Sequence, residues 1–116
     1  MAAGHHVEAA VVEQHIRVEV NGQVVAETQQ PVLLKETGLP DRWYIPPADV
    51  RLDLFDPSDL RTTCPFKGEA TYWTLRDATN PTRNIAWTYP DPLPTVSAIK
   101  DHLAFYDRHA TVTALP

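Results

Sequence analysis

The stretch His15-Ile16-Arg17-Val18-Glu19-Val20-Asn21-Gly22-Gln23-Val24-Val25-Ala26-Glu27-Thr28 decides the fold class. Ile16, Val18 and Val20 alternate with Arg17 and Glu19, the period of two that lays one face of a strand on a core and leaves the other wet. Asn21-Gly22 follows, the pair that tolerates the two positive φ angles of a type I′ turn, and apolar residues resume at Val24. The segment therefore reads as a two-residue β-hairpin.

Outward from the hairpin, the same kind of signal repeats. Val32-Leu33-Leu34, Trp43-Tyr44-Ile45, Val50 to Leu54, Ala70 to Leu75, Ile85 to Tyr89 and Ala110 to Leu115 are short runs rich in β-branched, aromatic or alternating residues. Pro40, Pro46, Pro47, Pro90, Pro92 and Pro94 punctuate them and exclude helix interiors. The segments 56–68 and 77–84 read as turns by composition. The period changes once: Val96, Ile99 and Leu103 fall at i, i+3 and i+7 behind Pro94 and Thr95, which predicts one short helix over 95–103. No strand–helix–strand alternation of a dinucleotide-binding sheet is present. The expectation is a mainly antiparallel β fold, packed as a sandwich or a strongly bent two-sheet structure, with residues 1–14 a flexible N-terminal segment and 15–116 a single β domain.

Composition bounds the function. With 116 residues, the chain has the length of one domain and can bury a core without staples. Ten Lys+Arg against 15 Asp+Glu argue against a nucleic-acid partner, since phosphate neutralisation needs clustered cations. No apolar run approaches the roughly 18 residues needed to span a bilayer, so no membrane partner is expected. Cys64 is the one cysteine, which excludes an internal disulfide and paired CxxC zinc sites. His5, His6, His15, His102 and His109 show no metal-ligand spacing. No metal and no cofactor are expected. A lone thiol and a start lacking a basic segment before an apolar core make the cytoplasm the expected location.

Three segments carry chemistry. In Thr63-Cys64-Pro65-Phe66-Lys67-Gly68-Glu69, a thiol lies three residues from Lys67 and three from Arg61, cations that favour a thiolate. Gly68 permits close approach of backbone to a ligand. A lone Cys serves equally as a small buried hydrophobe. In the stretch from Lys35 to Tyr44, Glu36 and Arg42 can form an ion pair, or Glu36, partly buried, can act as a general base. The third segment is aromatic. Neighbours in a strand point to opposite faces, so Trp43 and Tyr44 cannot fill the same side, nor can Tyr72 and Trp73. Some of these rings either wall a pocket or pack a second core.

In the order ETGLPDRWYIPPADVRLDLF, TTCPFKGEATYW and AWTYPDPLPTVSAIKDHLAFY, these blocks resemble the bacterial family called domain of unknown function 427, sometimes labelled nucleotidyltransferase domain 9, over roughly residues 15–115. The family pattern has Tyr where this chain has Phe66. The resemblance implies a β-tent-like fold, two antiparallel sheets meeting at an angle, and no established activity. Nucleotidyl transfer relies on paired carboxylates for two metals, and Asp53, Asp56 and Asp59 lack the GS-then-DxD arrangement for it. Some β-tent proteins hold a ligand in a tryptophan cage, which draws attention to Trp43, Trp73 and Trp87.

The leading expectation is a small-molecule-binding β domain, with Tyr44, Lys67, Tyr72, Trp73 and Trp87 around the pocket and Glu36 and Arg42 at its rim. The alternatives are a small enzyme using Cys64 or Glu36 with Lys67, and a structural domain that binds a protein partner. Oligomeric state is not legible.

Overall fold

The computed structural model describes residues 4–77 and 80–116. Of the segments read above, residues 1–3 of the N-terminal segment and residues 78–79 of the 77–84 turn lie outside these.

The hairpin is as expected. Strands β2 (His15–Val20) and β3 (Gln23–Thr28) are joined by Asn21 at φ 53° and Gly22 at φ 77°, the two left-handed residues of the turn. The register shifts between Val18 and Glu19, because Val18 faces Ala26 while Glu19 faces Val24. The extra residue, Val25, explains why Val25 and Ala26 are both buried against a strict alternation. Strand β10 (Ala110–Leu115) pairs antiparallel with the other edge of β2 and completes the sheet β10-β2-β3.

A second sheet has the order β1-β4-β5, formed by β1 (Val7–Val11), β4 (Val32–Glu36) and β5 (Arg42–Tyr44). Part of the N-terminal segment expected to be flexible is an edge strand here, paired to β4 from Val7↔Glu36 to Val11↔Val32. Only Val7 of β1 is buried, so the strand is held by ladder bonds and carries a weak hydrophobic pattern. The third sheet, β6-β7-β8-β9, comprises β6 (Phe55–Cys64), β7 (Gly68–Leu75), β8 (Thr82–Thr88) and β9 (Leu103–Phe105). Ile45 and Leu103 exchange backbone hydrogen bonds of 2.8 and 2.9 Å, which link β5 to β9 and join the second and third sheets. All strand pairs within the sheets are antiparallel.

Three local expectations are corrected. The polar run 56–68 is largely strand β6, with its turn confined to the residues after Cys64. As an edge strand it faces solvent and needs no apolar alternation, and an irregularity between Pro57 and Arg61 absorbs the proline. Residues 50–54 are not a strand: Val50 makes one bridge to Ala26, and Leu52–Leu54 form a 3₁₀ turn beneath the Arg51–Asp53 ion pair. The segment expected as a helix over 95–103 is 3₁₀ over Pro94–Ile99, broken at Val96 (φ −120°, ψ 28°). Spacing of i, i+3 suits a three-residue turn as well as an α-helix, and Leu103 belongs to β9.

Two hydrophobic clusters lie on opposite sides of the shared strands. The first gathers Ile16, Val18, Val20, Val25, Ile45, Phe55, Ile85 and Phe105, among others. The second gathers Val32, Leu34, Tyr44, Tyr72, Trp87, Tyr89, Val96 and Ile99, among others. β9 is buried on both faces, with Leu103 and Phe105 in the first cluster and Ala104 in the second. Among the described residues, no helix is long and apolar enough to cross a membrane.

Candidate functional site

A cavity of about 240 Å³ opens over the second cluster. β4 contributes Leu34 and Glu36, the following turn Leu39 and Pro40, and β5 Arg42 and Tyr44. Lys67 comes from the turn between β6 and β7, Tyr72 from β7, Trp87 from the end of β8, then Tyr89 and Tyr106. Strand alternation accounts for this selection. Arg42 and Tyr44 share one face of β5, and Trp87 and Tyr89 are likewise two apart.

Glu36 and Lys67 form the charged end. Lys67 Nζ donates to Glu36 Oε1 at 2.6 Å, and His5 Nε2 donates to Glu36 Oε2 at 3.2 Å. The Glu36 side chain is 5% exposed and that of Lys67 12%. The buried carboxylate therefore has a charged partner on one oxygen and a ring N–H on the other. The His5 ring also stacks on Phe66, centroids 3.9 Å apart and planes at 22°.

The aromatic wall is cross-linked. Trp87 Nε1 donates to the Tyr44 hydroxyl at 3.2 Å, and the two rings meet edge to face. Tyr106 lies against Trp87 at 4.4 Å between centroids. Tyr72 shares a 2.8 Å hydrogen bond with Thr62 Oγ1. The Arg42 guanidinium sits over the Trp87 ring, 5.1 Å from its centroid, a cation–π arrangement. Arg42 Nη1 donates to Phe105 O and to Asp107 Oδ1, each at 3.1 Å.

The phenols of Tyr44, Tyr89 and Tyr106 stay protonated through the physiological range. Burial pushes Tyr44 up to about 12, against the smaller opposing pull of the Trp87 N–H and of Arg42. Burial, with a hydrogen bond to Tyr72, pushes Tyr106 up to about 12. Burial raises Tyr89 as well, with the neighbouring Tyr44 adding to it. These hydroxyls are neutral donors and acceptors.

Of the residues expected at a pocket, Glu36, Arg42, Tyr44, Lys67, Tyr72 and Trp87 line this one cavity. Trp73 does not: it follows Tyr72 on β7, so it points the other way and packs on the first cluster. Trp43, opposite Leu33 on β4, does the same, and it borders a separate surface hollow of about 440 Å³. The three tryptophans therefore build no common cage. Cys64 packs against the second cluster without lining the cavity. The expected Glu36–Arg42 pair is replaced by Glu36–Lys67 and Arg42–Asp107. The β4–β5 register sets Arg42 opposite Leu34, two residues short of Glu36. Gly68 (φ 118°) does approach a backbone closely, but it is the chain's own: a Cβ there would lie 3.3 Å from Asp91 O. Sequence reasoning missed Tyr89, Tyr106 and His5. Tyr89 was accessible through its i, i+2 spacing from Trp87. Tyr106 and His5 arrive from opposite ends of the chain, with no local signal.

Among the described residues, no group of three or more His, Cys, Asp or Glu is placed to hold a metal ion. Residues 8–114 match a family described as a domain of unknown function (DUF427). No curated protein matches the chain.

Proposed function

The chain belongs to the DUF427 family, and from that premise we infer that it is a small-molecule-binding domain whose ligand occupies the aromatic cavity over the second cluster. The observation that carries this reading is the convergence of Glu36, Arg42, Tyr44, Lys67, Tyr72 and Trp87, from four strands and a turn, on one cavity. An apolar wall with a few oriented polar groups is the usual make-up of a ligand site. At about 240 Å³ the cavity is smaller than the roughly 300–1,000 Å³ of sites for drug-sized ligands. Its occupant is a compact molecule rather than a nucleoside triphosphate.

The reading in which Cys64 or Glu36 works with Lys67 as a catalyst has less support. Both Glu36 oxygens are engaged, Lys67 is committed to Glu36, and Cys64 lies off the cavity wall. The test is a thermal-shift screen of small planar acids, amides, sugars and amines, repeated on Leu39→Trp, which fills the exposed rim. Stabilisation of the parent that is lost in a folded Leu39→Trp variant supports the site. Shifts that persist unchanged in that variant place the ligand elsewhere.

A further inference from the structure

The polar groups around the cavity are unequal in kind, and the inequality specifies a ligand class within the binding reading above. Only one carboxylate lines the cavity, Glu36, and both its oxygens already accept hydrogen bonds. The donors are in surplus. Arg42 uses Nη1 alone, so among the described residues its Nε and Nη2 have no partner. The Tyr44 hydroxyl accepts from Trp87 and keeps its own proton to give. The Tyr89 hydroxyl has no hydrogen-bond partner among the described residues, and burial holds its proton on. Among the cavity-lining residues, two cations, Arg42 and Lys67, face one anion, in a chain whose formal net charge is −5. Lys67 is paired with Glu36 and Arg42 with Asp107, so the cavity is charge-balanced and its surplus is of unused donors, the Arg42 Nε and Nη2 groups above all.

Shape narrows the class further. Trp87, Tyr44, Tyr72, Tyr89 and Tyr106 line a small volume with aromatic rings, all but Tyr106 of them buried. The site looks suited to a cation by its rings, yet Arg42 already caps Trp87 at 5.1 Å, so an incoming ammonium would meet a fixed positive charge. A guanidinium with two adjacent N–H groups free is instead matched to a carboxylate, which it can hold by two parallel hydrogen bonds. We propose that the cavity binds a small planar aromatic or heteroaromatic carboxylate, its ring along the aromatic lining beside Trp87 and its carboxylate on the open Nε–Nη2 side of the Arg42 fork.

The experiment uses the full chain, uniformly ¹⁵N-labelled, and follows the Trp87 indole N–H in titrations with three sets of probes. Benzoate and indole-3-carboxylate are the carboxylates, benzamide and indole-3-carboxamide their uncharged isosteres, and phenyltrimethylammonium the cation. Saturable shifts with the carboxylates are expected, with affinity about tenfold or more above the amides, as a charge-assisted pair implies. No saturable shift is expected with the cation. Arg42→Met is expected to bring the carboxylate-to-amide ratio close to one. Arg42→Lys, which keeps charge and loses the fork, should fall between. Equal or tighter binding of the amides or the cation would overturn the charge assignment and leave cavity binding standing. A Trp87 signal that no probe moves at millimolar concentration would remove the binding reading itself.

Discussion

Removing the Lys67 ammonium tests the buried charge pair most directly. In Lys67→Met the Glu36 carboxylate, 5% exposed, keeps only His5 at 3.2 Å, where the parent also has Lys67 at 2.6 Å. An ion left buried without its counter-charge typically costs about 3–5 kcal/mol. For a domain of this length that is a fall in Tm of about 10–20 °C. The double variant Glu36→Gln/Lys67→Met retains an amide partner for His5 and buries no charge, so most of the loss should return. Urea unfolding followed by tryptophan fluorescence and far-ultraviolet circular dichroism gives both quantities, with an unchanged m value certifying a common unfolded state. If Lys67→Met lies within about 1 kcal/mol of the parent, or the double variant is no better than the single, the pair behaves as a hydrated surface contact and the reasoning is refuted.

Tyr44→Phe deprives the buried Trp87 N–H of its acceptor and should cost about 1–3 kcal/mol in urea unfolding, with faster exchange of that indole proton. An unchanged midpoint would mean the bond contributes nothing. Alkali should destabilise the fold through the same phenol. Folded Tyr44 is raised to about 12 from 10, so the unfolded chain loses this proton first. The linked stability is complete below pH 10 and is lost as pH rises toward 12, by about 3 kcal/mol in all. Tyr44→Phe should show a shallower decline across that window, and parallel curves would contradict it. Gly68→Ala places a Cβ 3.3 Å from Asp91 O at φ 118° and should cost about 1–3 kcal/mol, read from the thermal midpoint. A neutral result would show that the 64–68 turn yields easily to the proline-rich run beside it.

Legibility in the sequence followed the physics of each segment. The Asn21-Gly22 turn was readable because only a few residues accept two positive φ angles in succession. The opposite facing of Trp43 and Tyr44, and of Tyr72 and Trp73, followed from the strand period alone. β6 was obscured because an edge strand with one wet side carries little hydrophobic pattern. β1 was obscured for a similar reason, its ladder to β4 being made of backbone groups that every residue has. The turn at Pro94–Ile99 was misread because a three-residue turn and an α-helix share the i, i+3 spacing.

For the site, residue type was legible and partnership was not. Glu36, Arg42, Tyr44, Lys67, Tyr72 and Trp87 stand out locally as charged or aromatic residues in turn-rich blocks. Strand alternation decides which of two neighbours share a face, and it needs no distant information. Which Trp meets which Tyr, and that Glu36 pairs with Lys67, 31 residues away, rather than with Arg42, depends on strand order and register. Those are set by the packing of whole sheets, through the β1-β4-β5 ladder and the Ile45–Leu103 link that brings β5 beside β9. Periodicity within a segment carries no record of its neighbour, so the residues of the cavity were present in the sequence and the cavity existed only once the sheets had met.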